Sequence, residues 1–416
     1  MRTPVTTDAA TPSRHDQLLA TVRRWVVAIS LLLVPGLTQP FVDSPRLAFL
    51  FVVEFLLLMM LPLSLRELPT ILRSDRRLPV LTAMTLSVAM VVAVVFHPSP
   101  AGFTMTLFAA MGVGLTTAIA TMDRSEVGSF VAVPLLVAAS FEAGVMAVQW
   151  LTGRPFVLDW VFPGAEIPPI DGFPRPPGTL MHVYQAAILG LVALAAVFAA
   201  RGRGPSRLWL VGIAGASAAV GLTNSRSGLL AIVAIVATLA FGFLRRRSPT
   251  FRNVAAAVVV GFLVSVLVAG SGWLARLEDS TTTDLDELSL GRVTLVEQSL
   301  RTIRTSPWVG VGPGRYVDVG KQRGDIDERR ALPVHDLGLM IAAELGIPAA
   351  LAVVGLLAAV GVAAWRRGPW AFAAFVAVLP FLVLDVNLYD RPFGLVLFAA
   401  WLGSLSVAIS TSPPSR

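Results

Sequence analysis

Long apolar runs separated by short polar connections dominate the chain, at roughly 24–41, 46–64, 78–96, 102–122, 129–150, 178–200, 208–223, 228–244, 254–273, 336–364, 369–386 and 393–411. Most are close to the 17–25 residues that a helix rising 1.5 Å per residue needs to cross a ~30 Å hydrocarbon core. In lipid each backbone polar group must find its partner within the protein, which helices achieve segment by segment. The pattern therefore predicts an all-α, polytopic integral membrane bundle of about twelve transmembrane helices. The expected organisation is a tail at 1–23, nine spans over 24–273, a large loop at 274–335, three spans over 336–411 and a short tail at 412–416.

Two connections break the rhythm. Residues 151–177 are rich in Pro, Gly and aromatics, and 274–335 is the one extended polar region. Long ordered loops are usually functional. Within the second, 292–304 reads as an amphipathic helix, because Val293, Val296, Leu300 and Ile303 recur at helical spacing. At about 100° per residue Arg292 lies beside that face and Arg301 opposite it. This predicts a solvated Arg301 and an Arg292 that needs an anionic partner.

Composition agrees with a membrane bundle: the chain has 416 residues, 55% hydrophobic and only 14% charged, against about 25% charged in soluble domains. The net charge of +7 would fit nucleic acid, but its placement excludes that reading. Arginines cluster at Arg23/Arg24, Arg66/Arg73/Arg76/Arg77, Arg201/Arg203/Arg207, Arg245/Arg246/Arg247/Arg252 and Arg366/Arg367, all in connections on one side. The short connections on the other side, 97–101 and 387–392, nearly lack them. That is the positive-inside pattern, with both termini cytoplasmic and the long loops outside. The first residues are polar with no apolar run before Trp25, which reads as a cytoplasmic tail and not a cleaved leader. Cysteine is absent, so disulfides, thiolate metal sites and a Cys nucleophile are excluded.

Three places put Arg or His at the outer boundary. Thr223-Asn224-Ser225-Arg226-Ser227-Gly228 is so short a connection that Arg226 must sit at the membrane surface. A snorkelling cation explains such a residue, but this Arg stands on the side the charge rule disfavours. In Pro333-Val334-His335-Asp336 the large loop re-enters the membrane. A neutral imidazole there can take a proton from a hydroxyl, with Asp336 as a neighbour that could orient it, although adjacent helical residues point about 100° apart. The third place is Arg175 through His182, Tyr184 and Gln185, which can line a cavity or act as interfacial anchors. His15 and His97 read as incidental. Gly310-Val311-Gly312-Pro313-Gly314-Arg315-Tyr316 permits positive φ and close backbone approach, as in a tight turn or an anion-binding nest. Glu54, Glu142, Glu344 and Asp385 lie within apolar runs, where ionisable groups default to functional hypotheses.

Together these segments resemble the O-antigen ligase and Wzy-type polymerase superfamily. Thr223–Gly228 is similar to its arginine motif. Gly310–Arg315, Pro333–Asp336 and Ala343-Glu344-Leu345-Gly346-Ile347-Pro348 are similar to its C-terminal signature, and 175–185 to a further element. The resemblance covers about 170–350. It implies a glycosyltransferase that needs neither metal nor cofactor and works at the outer face of a bacterial inner membrane. Its donor would be a glycan on undecaprenyl diphosphate, and its acceptor a hydroxyl on a glycolipid or polysaccharide. Carried over by motif, Arg226, Arg292 and Arg315 would hold the diphosphate and His335 would be the base. Arg175, His182, Tyr184, Gln185 and Arg391 would line the site. Asp336 departs from the family, where Asn is frequent.

Other readings make different demands. A Wzy-type polymerase shares the fold and differs only in acceptor. A flippase or transporter of lipid-linked sugars needs charge deep along a central path and short outer loops, and no internal repeat supports it. A metal-dependent transferase would need Asp43 or the pair Asp284 and Asp286.

Overall fold

The computed structural model describes residues 14–34, 50–157, 166–167, 169–170, 173–180, 182–200, 206–279, 292–324, 333–389 and 391–411. Over these residues the chain is helical, apart from a two-residue antiparallel pairing of Pro169–Ile170 with Phe173–Pro174. Seven helices are long and apolar enough to cross a bilayer: Arg77–Phe96, Pro100–Ala120, Arg124–Thr152, Arg226–Arg246, Pro249–Val268, Ile347–Arg367 and Pro392–Ile409. Four shorter apolar helices accompany them, Val53–Leu65, Val183–Ala199, Arg207–Leu222 and Pro369–Leu384. The protein is thus a polytopic helical membrane protein. The first expected span differs: its helix runs Arg14–Leu32, starting within the presumed tail, and 35–49 fall outside the described residues. Asp43, Asp284 and Asp286 lie outside them too.

Three expected spans are broken. A single helix over 336–364 would be about 43 Å long, well beyond a ~30 Å core. Gly346, at φ 92°, divides it into Leu337–Leu345 and Ile347–Arg367. The Ile347 N–H donates to Pro307 O at 2.8 Å, which fixes the break. The 254–273 run ends as a helix at Val268 and restarts at Gly270. The 369–386 run divides into Pro369–Val376 and Leu379–Leu384, with Pro380 in the first turn of the second piece.

Small residues set the packing. Without a hydrophobic force between helices in lipid, close backbone approach supplies the attraction. Helix Arg207–Leu222 packs between Val133–Thr152, Val183–Ala199 and Pro249–Val268. A Cβ on Gly261 would stand 2.0 Å from Ala214 O, and one on Gly190 2.5 Å from Ala216 O. Ser217 Oγ donates to Val258 O at 2.7 Å. Helix Pro392–Ile409 is enclosed, with Thr116 Oγ1 donating to Ala399 O at 3.1 Å and Gly403 set against Ile119.

The two ends of the bundle differ in chemistry. At one end Arg76 gathers helix termini, its Nη1 donating to Ala120 O at 2.6 Å and Met122 O at 2.9 Å, and its Nε to Ser410 Oγ at 3.2 Å. Arg24 pairs with Glu126 nearby. A cation on helix C-termini is favourable, so the arginines of this end have structural work. At the opposite end lie the turn at 223–225, segment 175–182 and the large loop.

Candidate functional site

The turn at 223–228 is built by nearly all its residues. Thr223 caps one helix, Asn224 takes the left-handed conformation at φ 51°, and Ser225 Oγ caps the next by accepting from Gly228 N at 3.2 Å. A Cβ on Gly228 would meet Val220 Cγ1 at 2.8 Å, so the two helices cross closely there. Trp273 Nε1 donates to Gly221 O at 3.2 Å and Trp150 Nε1 to Leu222 O at 3.0 Å. The indoles thus satisfy carbonyls that a helix C-terminus leaves open. Arg226 is half-buried at the first helical position.

Segment 175–182 is held by two polar residues two turns apart on one face of Val133–Thr152. Gln149 donates through Nε2 to Gly178 O at 2.9 Å and Phe156 O at 2.9 Å, and accepts through Oε1 from Gly178 N at 3.0 Å. Glu142 accepts from Thr179 N at 2.8 Å and from Thr179 Oγ1. So Glu142, expected as a functional candidate, works as a structural anchor. This anchoring presents Arg175, only 2% exposed, whose Nη1 donates to Tyr184 Oη at 3.2 Å. The Tyr184 and His182 rings lie 5.4 Å apart.

The glycine-rich loop is an anion nest, and its anion is the protein's own. Gly310, Gly312 and Gly314 all have positive φ. Val311 N donates to Ala343 O at 2.9 Å and Gly312 N to Glu344 O at 2.9 Å, closing the end of helix Leu337–Leu345. A Cβ on Gly310 would fall 2.1 Å from the Glu344 carbonyl carbon, so only glycine fits there. The buried Glu344 carboxylate then accepts from Gly314 N at 2.8 Å, Tyr316 N at 3.1 Å and Tyr389 Oη at 2.9 Å. Of the two forms open to this loop, a tight turn and an anion-binding nest, the Gly314 and Tyr316 N–H groups fit the second, with the Glu344 carboxyl as their acceptor. Arg315 projects from the loop, half-buried, and its side chain makes no hydrogen bond or ion pair among the described residues. Its Cδ and the His97 Cβ stand 3.2 and 3.0 Å from the same point above Gly312. His97 therefore packs against the loop and is not incidental.

His335 lies just before helix Leu337–Leu345. Asp336 does not orient it: Asp336 Oδ1 accepts from Leu339 N at 2.7 Å as that helix's N-cap. The carboxylate within electrostatic reach of His335 is Asp385, buried between Leu379–Leu384 and the last long helix. Asp385 Oδ1 accepts from Val386 N at 2.7 Å, Asn387 N at 3.1 Å and Asn387 Nδ2. His182, one residue before helix Val183–Ala199, feels the charges of both Arg391 and His335. Burial first, and the neighbouring Arg391 and His335 next, push its imidazole down to about 4. Arg175, His182, Tyr184, Arg391, His335 and Asp385 thus gather at one end of the bundle.

Arg226 starts a helix that packs on Leu379–Leu384, the piece leading into Asp385. Arg292 opens helix Arg292–Thr305, but its side chain lies outside the described residues. The buried face of that helix is Leu295, Gln298, Ser299, Thr302 and Ile303, while Val293 and Leu300 are exposed. The expected apolar face is therefore rotated. The helix packs on Leu337–Leu345. Arg301 is exposed as expected and pairs with Glu297 at 3.8 Å. Sequence reasoning gave Asp385 no link to His335 and assigned no role to Tyr316, Tyr389 or Asn387. One signal could have found some of them: all three tyrosines of the chain, Tyr184, Tyr316 and Tyr389, lie in these segments.

The site offers guanidinium groups suited to a diphosphate, a histidine and a buried aspartate within electrostatic reach of one another, and no gathering of three His, Asp or Glu side chains for a metal among the described residues. In comparison with known proteins, residues 211–354 match the family model described as O-antigen ligase. That stretch holds the 223–228 turn, the large loop, His335 and Glu344; it ends before Asp385 and Arg391. A comparison with curated proteins gave no match.

Proposed function

We propose, on the premise that the chain belongs to the O-antigen ligase and Wzy-type polymerase superfamily, that it moves a glycan from undecaprenyl diphosphate to an acceptor hydroxyl. The observation that carries this reading is the His335–Asp385 pair standing beside His182 and Arg391 at the loop-bearing end. The arginine clusters of the opposite end support a cytoplasmic position for that end, and with it a site on the outer face. A site at a helix-bundle mouth suits a donor whose polyprenyl tail stays in the bilayer.

In the reaction His335 takes the proton of the acceptor hydroxyl while its oxygen attacks the anomeric carbon. The bond from that carbon to the diphosphate breaks, and its electron pair leaves on the diphosphate. Asp385 holds the imidazole and stabilises its protonated form. Arg226, Arg292 and Arg315 meet the developing negative charge, since fixed guanidinium donors act best where charge appears in the transition state. Arg175, Tyr184 and Arg391 line the remainder. Transfer that persists in EDTA supports this chemistry, and transfer abolished by EDTA and restored by a divalent cation overturns it.

A deletion strain tests the biological role through its carrier-linked glycans. We expect long chains to accumulate on the carrier, the mark of a lost ligase. Accumulated single repeat units instead identify a polymerase, and glycans trapped on the cytoplasmic leaflet refute both.

A further inference from the structure

The first turn of helix Val183–Ala199 carries polar atoms that the protein leaves unanswered. Gln185 is 1% exposed, yet both Nε2 and Oε1 lack a hydrogen-bond partner among the described residues. Nδ1 of His182 is likewise buried and unanswered. The Gln185 N–H donates to His182 O at 3.0 Å, so these residues are three apart on one turn and their side chains share a face. A buried amide is normally satisfied, and leaving it open is costly. By contrast, Gln149, the other buried glutamine anchoring this region, spends its amide on Gly178 and Phe156. The difference marks Gln185 as a group kept for something outside the chain.

Its chemistry indicates what that is. An amide offers two donors and a carbonyl acceptor and carries no charge. Phosphate is better served by the arginines nearby, whereas a sugar presents hydroxyls that donate and accept at once. His182 also lies within electrostatic reach of His335, the base of the proposed transfer. We infer that Gln185, with His182, holds ring hydroxyls of the acceptor sugar and sets which of its hydroxyls faces His335. This inference rests on the transfer reading above and names a positioning and specificity residue within it.

The test uses the full-length protein purified in a membrane mimetic, as wild type, Gln185→Leu and Gln185→Glu. The donor is undecaprenyl-diphosphate-linked glycan extracted from a deletion strain, and the acceptor is the glycolipid fraction of the same strain. Gln185→Leu keeps the volume and removes an unsatisfied amide, so thermal stability should hold or rise. The KM for acceptor should rise about fivefold to tenfold, the worth of one or two hydrogen bonds, while the KM for donor stays. Gln185→Glu keeps an acceptor but loses the donors, and should raise the acceptor KM as well. If Gln185→Leu melts lower and loses activity equally toward both substrates, the residue is structural and the inference fails. If it shows wild-type acceptor KM, the amide holds only water and the inference fails. A wild-type protein that transfers nothing between these fractions overturns the transfer reading and this inference with it.

Discussion

Glu344 joins three segments through one carboxylate, and its removal should loosen all three. It accepts from Gly314 N, Tyr316 N and Tyr389 Oη and is 0% exposed. Glu344→Ala leaves these three donors buried and unanswered. Each orphaned donor costs about 1–3 kcal/mol. At the low end that sums to about 3 kcal/mol, enough to raise the open population of the loop more than about a hundredfold. Glu344→Gln keeps one oxygen but turns an NH2 toward a donor, and should cost about 1–2 kcal/mol. Hydrogen exchange in detergent, read on peptides spanning 310–316 and 388–389, reports this opening directly. Exchange should accelerate strongly in Glu344→Ala, moderately in Glu344→Gln, and little in the Arg207–Leu222 helix. Unchanged exchange at Gly314 and Tyr316 in Glu344→Ala would refute the idea that the carboxylate occupies the nest.

The two aspartates near His335 separate cleanly by substitution. Asp336→Asn should transfer at close to the wild-type rate, because Asn caps a helix as well as Asp does, whereas Asp385→Asn should lower kcat about 10- to 1,000-fold; equal effects in a transfer assay would refute the assignment of Asp385. Gly261→Val should abolish folded protein on size-exclusion chromatography, since even a Cβ lands 2.0 Å from Ala214 O; a monodisperse, active variant would contradict the close packing. His182 is held down to about 4 by burial and by the neighbouring Arg391 and His335, below the ordinary value near 6.5. The unfolded chain therefore binds a proton that the folded chain does not, and stability present above about pH 6.5 should fall as pH drops toward 4. Melting followed from pH 7 to 4 checks this, and a His182→Asn variant should show a shallower decline.

The apolar runs were legible because helix length against bilayer thickness leaves few alternatives, and the arginines sorted the connections by side. The breaks were not: at Gly346 apolar residues continue on both sides, so hydropathy sees one run where backbone geometry makes two helices. On Arg292–Thr305 the wheel ranked Val293 and Leu300 as buried. The buried face uses Gln298, Ser299 and Thr302 beside Leu295 and Ile303, and the helix packs on Leu337–Leu345. The glycine loop is legible as a tight turn or an anion-binding nest, but sequence spacing cannot tell that its acceptor is the Glu344 carboxyl. His335 was visible from its place at the loop's return to the bundle. Its partner Asp385 lies far along the chain and is brought close only by the fold, while Asp336, adjacent in sequence, is spent on a cap. Arg226 stands out in the sequence as an arginine in a connection that the charge pattern leaves otherwise bare, and the structure accounts for Thr223, Asn224, Ser225 and Gly228 as parts of the turn.

The most direct measurement is transfer by the purified full-length protein from undecaprenyl-diphosphate-linked glycan to the glycolipid fraction of a deletion strain, comparing wild type with Arg226→Ala and His335→Ala. The account predicts that both variants insert and melt like wild type while transfer falls at least about a hundredfold in each. Wild-type turnover in either variant, or no transfer by the wild-type protein, would contradict it.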